Sequence, residues 1–229
     1  IASKALRPLP KTWTTAEGEE VTLSEDQRIR RRELDLIPRP AARNMIRIRA
    51  AVNRSIRENF FRRDYIELET PMLQVIHGGA SARPFITHMN ALDMDLYLRI
   101  ATEIYLKRAV VGGVDRVFEM NRNFRNEGMD SSHSPEFTSL EAYEAYSDYN
   151  GMAELTRNLI QQAARDAFDL PEGQEIVTLA DGTEYDLSGD WDHIDLYGST
   201  SEALGEEITV DTPRETLVKY AERIGLEVD

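Results

Sequence analysis

The sequence contains no cysteine. That excludes disulfides and thiolate metal sites, and it fits a cytoplasmic protein. Histidine is scarce as well. His77, His88, His133 and His193 are scattered along 229 residues, which argues against a histidine zinc cluster. No apolar run approaches the ~18–20 residues that span a bilayer, and the N-terminus carries no charged-then-apolar signal segment. Internal repeats and low-complexity tracts are absent too. The composition that remains is globular: 41% hydrophobic and 30% charged, with room for a sizeable core. The chain starts at Ile1 rather than Met, so trimming is expected.

Net charge is −14, unevenly spread. Residues 28–63 hold twelve arginines against Glu33, Asp35 and Glu58, whereas residues 181–229 hold fourteen acids against Arg214, Lys219 and Arg223. A basic block can meet nucleic-acid phosphates. It can equally be a helix surface paired with acids elsewhere in the fold or in a partner subunit. Charge alone leaves both open.

Residues 3–27 are rich in Pro, Thr and Glu with little periodicity, and read as a linker. The spacing of Met45, Ile48, Val52, Ile56 and Phe60 predicts a helix over 41–63, with Pro40 just before its start. "YIELETP" (65–71) alternates like a strand, which Pro71 either ends or places at a sheet edge. "HGGASARPF" is a turn whose glycines could let backbone approach a ligand. A buried strand is expected over 95–100, then a helix with Thr102 as N-cap. Strands over 116–126 and 136–146 make a long hairpin around the polar loop "EGMDSSHSP". A helix over 152–168 carries Met152, Leu155, Leu159 and Ala163 on one side, and Asp181-Gly182 marks a second hairpin. A final helix follows, with Thr212, Pro213 and Glu215 arranged as a capping box. Hairpins mixed with helices, without regular strand–helix alternation, give an α+β class with an antiparallel sheet.

Period-2 alternation sorts the long hairpin's side chains. Asn121, Asn123 and Arg125 share a face of the first strand; Phe137, Glu141 and Tyr143 share a face of the second. If the two faces coincide, one surface presents guanidinium, carboxylate, phenol and phenyl. Burying that set is expensive unless the charges are paired or met by a ligand. An arginine fork suits a phosphate, a phenyl ring suits a flat heterocycle, and a Glu–Tyr pair suits an ammonium. The face therefore reads either as a site for a nucleotide plus an amine or as a polar surface in water.

These residues also carry a resemblance. "FRNEG…HSPEF" resembles motif 2 of the class II aminoacyl-tRNA synthetases, and "YIELETPML" resembles the end of their motif 1. "HGGASARPFITHMNALDMDLYLRIATEIYLKRAVVGG", "RVFEMNRNFRNEG" and "EFTSLEAYEAYSDYN" are similar to the lysyl-tRNA synthetases in particular. The resemblance covers about residues 2–228 and is weakest over 10–24 and 170–200. It implies a class II synthetase-type antiparallel sheet flanked by helices, incomplete here. It implies that residues 1–27 link to an upstream OB-fold and that 28–229 are the N-terminal portion of the catalytic domain. It further implies ATP and L-lysine as substrates, Mg2+, tRNA(Lys) as partner in the full-length protein, and a homodimer with Pro71 at its interface. Arg125 matches the arginine that contacts the α-phosphate. Glu127 matches the adenine-amino contact, His133 and Ser134 the loop around ATP, and Phe137 the ring on adenine. The family usually has asparagine at the place of Ser134. Glu103, Glu141 and Tyr143 match lysine-recognising positions, and Gly79 matches a backbone contact to lysine.

Nothing after residue 150 matches motif 3, with its second ATP-binding arginine, or the glutamates that hold magnesium. The resemblance thus implies no metal ligand within this chain, and residues 1–229 alone are expected not to aminoacylate tRNA. Other readings of the same module are a paralogue that delivers lysine to a protein or lipid, and a non-catalytic dimerising or ligand-binding fragment.

Overall fold

A computed structural model of the chain describes residues 13–14, 20–21, 24–130, 132–179 and 181–226. Most of the expected 1–27 linker lies outside these residues. The chain divides into two compact units, Ile1–Ser188 and Gly189–Asp229.

In the first unit, β1 (Trp13–Thr14) and β2 (Glu20–Val21) pair antiparallel. Then α1 (Glu25–Arg30) starts on a capping box between Ser24 and Gln27, and α2 (Arg32–Leu36) follows. α3 (Pro40–Arg62) includes Pro40 in its first turn, one residue earlier than the periodicity gave. That placement is natural, because a first-turn N–H has no partner to lose. Within the expected stripe Phe60 is buried, Ile48, Val52 and Ile56 are half-buried, and Met45 is 59% exposed. The N-terminal end of the stripe therefore lies outside this unit's core.

β3 (Ile66–Glu67) is much shorter than the strand expected over 65–71, and it runs parallel to β7 (Arg116–Phe124). Leu68 N still donates to Phe118 O of β7 at 2.9 Å, but beyond it the chain turns to a side chain: Thr70 donates from both N and Oγ1 to Glu119 Oε2, at 3.2 and 2.5 Å. β4 (Leu73–Gln74), β5 (Ile86–Met89) and β6 (Met94–Leu98) form a separate antiparallel sheet in the order β4-β6-β5. The expected strand over 95–100 stops at Leu98. From there Arg99 N donates to Met72 O and Arg99 O accepts from Phe124 N, tying the small sheet to β7.

α4 (Glu103–Val111) leads to β7, which pairs antiparallel with β8 (Glu136–Glu144) from Arg116↔Glu144 to Phe124↔Glu136. The hairpin strands end two residues earlier than expected, although Arg125 N still donates to Pro135 O at 2.9 Å. One face of this sheet packs on α3 and on α5 (Tyr149–Phe168). There Phe60 stacks on Phe118 with centroids 4.4 Å apart, Tyr65 meets Phe60 edge-on at 4.9 Å, and Leu155 and Leu159 close the cluster. Burying each such side chain stabilises by roughly 1.5–3 kcal/mol. α5 begins three residues before the expected 152, because the Asp148 carboxylate caps Asn150 N and Gly151 N. β9 (Ile176–Thr178) and β10 (Glu184–Asp186) form the expected second hairpin, with Gly182 at φ +86° in its turn.

The second unit holds α6 (Leu196–Leu204), capped by Asp195 and ended by Gly205, and α7 (Arg214–Arg223). The capping box expected at Thr212–Glu215 does not form. Pro213 occupies the N-cap, and Thr212 Oγ1 accepts from Thr209 N instead, at 2.8 Å. The molecule is α+β, with helices against mainly antiparallel sheet.

Candidate active site

The register answers the question of the two hairpin faces. Asn123 lies directly opposite Phe137, Asn121 opposite Ser139, Glu119 opposite Glu141, and Val117 opposite Tyr143. Directly opposed residues point the same way, so both predicted sets share the face turned away from the Phe118 core. Arg125 continues this face, its guanidinium carbon 5.1 Å from the Phe137 ring centroid. Its Nε is buried and has no hydrogen-bond partner among the described residues. A buried donor without a partner is costly, of order 1–3 kcal/mol, and marks a place where a ligand oxygen can bind.

The amine half lies further along the same strands. Glu141 Oε1 accepts from Thr102 N at 3.1 Å, and Oε2 accepts from the Tyr143 hydroxyl at 3.0 Å. Burial pushes the Tyr143 phenol above its ordinary range, and its bond to Glu141 and the charge of Glu103 add to the shift. Tyr143 therefore stays a neutral donor at physiological pH. Thr102 is the N-cap residue of α4, as expected, but it makes no side-chain cap, and its buried Oγ1 has no partner among the described residues. Its backbone N–H serves Glu141 instead.

Glu103 opens α4 and pairs with Lys107 Nζ at 2.6 Å; that ammonium stands 5.5 Å from the Tyr143 ring centroid. Gly79 lies against Glu103 with φ +88°, where a Cβ would come within 3.0 Å of Glu103 Cβ. The Gly79 backbone thus comes close to Glu103 and to Ala101.

Glu127 lies at the mouth of the hairpin loop. Its Oε1 accepts from Arg83 N at 3.2 Å, while Asn126 N donates to Arg83 O at 2.8 Å. Ser81, Ala82, Arg83, Asn126, Glu127 and Gly128 line a polar cavity of about 690 Å3. His133 and Ser134 are not drawn onto the Arg125–Phe137 face: both are exposed in the loop. His133 Nδ1 sits 2.9 Å from Asp130, whose carboxyl is held well below its ordinary range, first by the Ser132 N–H and then by His133. Pro71 is exposed beside Met72, Leu73, Val75 and Ile76, all of them exposed.

Periodicity missed Arg99 and Glu119. They form an ion pair at 2.8 Å, 0% and 1% exposed. Arg99 also donates to Arg122 O, Thr70 O and Thr70 Oγ1 at 2.8, 2.9 and 3.0 Å. A carboxylate inside the apolar run "RVFEMN", on the same parity as Asn121 and Asn123, was the signal for Glu119.

The family model described as class II tRNA synthetases (D, K and N) matches residues 24–227. The chain belongs to that family. Within it, the chain is 57% identical over 229 residues to a lysine--tRNA ligase of Kineococcus radiotolerans, covering 100% of this chain and 44% of that protein. It is 58% identical over 228 residues to a lysine--tRNA ligase of Mycolicibacterium gilvum, covering 100% of this chain and 43% of that protein. It is also 49% identical to a lysylphosphatidylglycerol biosynthesis bifunctional protein LysX of Mycolicibacterium vanbaalenii, covering 99% of this chain and 20% of that protein. The chain thus spans less than half the length of these relatives.

Proposed function

We propose that this chain is the ATP- and lysine-binding portion of a lysine--tRNA ligase. The observation that carries the reading is the single hairpin face on which Arg125 and Phe137 adjoin Glu141 and Tyr143. Phe137 stacks on adenine, Glu127 accepts from its amino group, and the His133–Ser134 loop closes over the nucleotide. Arg125 contacts the α-phosphate. Glu141, with the Tyr143 phenol, binds one lysine ammonium; Glu103 and the Gly79 backbone bind the other.

The lysine carboxylate needs no base, since carboxylates are ionised near neutral pH. It attacks the α-phosphorus in line, pyrophosphate leaves, and the Arg125 guanidinium neutralises the charge that builds on the phosphoryl oxygens. Lysyl-adenylate then transfers lysine to the terminal ribose of tRNA(Lys). Among the described residues no group of three or more His, Cys, Asp or Glu could hold a metal ion. Homodimerisation through the exposed apolar surface around Pro71 and a cytoplasmic location complete the reading. Among the described residues no helix is long and apolar enough to cross a membrane.

The test is ATP–pyrophosphate exchange by the full natural chain. Exchange that depends on lysine, and not on aspartate or asparagine, is the expected result; exchange that ignores lysine overturns the reading. The similarity to the lysylphosphatidylglycerol protein favours a second outcome, in which the same lysyl-adenylate serves a lipid. Supplying tRNA(Lys) and phosphatidylglycerol side by side separates the two acceptors.

A further inference from the structure

The amine half of the face holds more charge than its ligand requires. Glu119 lies directly across from Glu141, and like charges in that position destabilise a sheet. Both carboxylates sit on the face that would receive one ammonium. Arg99 resolves the conflict. Its side chain is fully buried and pairs with Glu119 Oε1, which also accepts from Asn121 Nδ2, while Thr70 satisfies Oε2. Glu119 is thereby surrounded by donors of the protein itself. Among the described residues Glu141 receives only the Thr102 N–H and the Tyr143 hydroxyl.

The groups around Glu141 are Glu119 from β7, Tyr143 on its own strand, Glu103 and Lys107 from α4, and Arg99 behind Glu119. Arg99 cancels the buried Glu119, whereas Lys107 on Glu103 is more than half exposed and can give way to the ligand's other ammonium. On the amine half of the hairpin face one negative charge remains, on Glu141. Arg99 also lies three residues before Thr102, and its backbone is clamped between Met72 and Phe124. The same residue thus anchors the turn that presents the Thr102 N–H.

We propose that Arg99 and Glu119 are a positioning pair for the amino-acid subsite: their mutual neutralisation leaves Glu141 as the one unbalanced carboxylate of the hairpin face for a ligand ammonium. The pair touches no reacting atom and rests on the lysine reading given above. Removing one member leaves a buried charge beside Glu141, whereas removing both leaves none. A purely structural pair behaves differently: each substitution then damages the whole site, and the double substitution is no better than the singles.

Kinetics of lysine-dependent pyrophosphate exchange by the full natural chain test this. Glu119→Gln leaves the Arg99 cation opposite the ammonium, and should raise KM for lysine by about tenfold or more, with KM for ATP within about twofold. The double variant Arg99→Met with Glu119→Gln should return KM for lysine to within about threefold of the unsubstituted protein. Arg99→Lys keeps the charge while losing the fork to Arg122 O and Thr70 O; it should lower Tm yet leave KM for lysine within about threefold. It also serves if Glu119→Gln does not fold. Parallel rises in both KM values, a double variant no better than Glu119→Gln, or an Arg99→Lys protein that loses lysine selectively would each overturn the pair's role. An unsubstituted protein without lysine-dependent exchange would overturn the function itself, and the pair's role with it.

Discussion

Gly79 shows how much one position can constrain. At φ +88° a side chain is strained whatever the space, and a Cβ would also stand 3.1 Å from Ala101 Cβ. Gly79→Ala should cost about 1–2 kcal/mol through the left-handed backbone alone. It should also push on Glu103, so a calorimetric Tm and KM for lysine should both worsen, the latter several-fold. Arg125 is the opposite case, a residue whose loss should spare folding. Arg125→Ala removes a guanidinium aimed at developing charge and should lower kcat for exchange by about 100- to 1000-fold, with little change in Tm. The residue types at Arg125, Phe137, Glu141 and Tyr143 were legible because strand alternation alone sorts them. Arg99 was not. A buried arginine has no local signature, and its partner Glu119 lies 20 residues away on β7. The placement of His133 depended on Asp130, an exposed loop contact that no periodicity encodes.

Elements differ in the same way. α3, α5 and the β7–β8 hairpin were legible because each is long and repeats its apolar period many times. Their ends depended on caps. Asp148→Ala should cost about 1 kcal/mol in urea unfolding, because two N–H groups of α5 lose their acceptor. Leu159→Ala, in the core that holds α5 on the sheet, should cost about 2–5 kcal/mol in the same measurement. Where the chain enters β3, Tyr65 donates to Glu144 of β8 at 2.9 Å, and burial first, then Glu144, pushes the phenol up to about 12. The folded chain holds this proton more tightly than the unfolded one, whose phenol titrates near 10. The contribution is therefore full below about pH 10 and fades as pH rises toward 12. Tyr65→Phe should be less stable than the unsubstituted protein at pH 9, and the gap should narrow by pH 11.5 in parallel denaturant titrations.

At the scale of the molecule the two units differ in how much they bury. The first contains the aromatic cluster and the buried ion pair. Among the described residues the second buries one apolar side chain, Ile208, and leaves Ile194, Leu196 and Val210 more than 70% exposed. Few buried contacts mean low local opening free energies. Amides of α6 and α7 should therefore exchange with deuterium well before those of β7 and β8; equal protection would contradict this. The sequence by itself determined the class of fold, the long elements, the composition of the hairpin's two faces and the family wording of its motifs, because periodicity and residue chemistry are local properties. Only the tertiary structure decided that the two faces coincide, that β3 runs parallel to β7, and that Glu119 is neutralised while Glu141 is left available. Register, strand direction and charge pairing are fixed by contacts between distant residues, and no short stretch of sequence carries them.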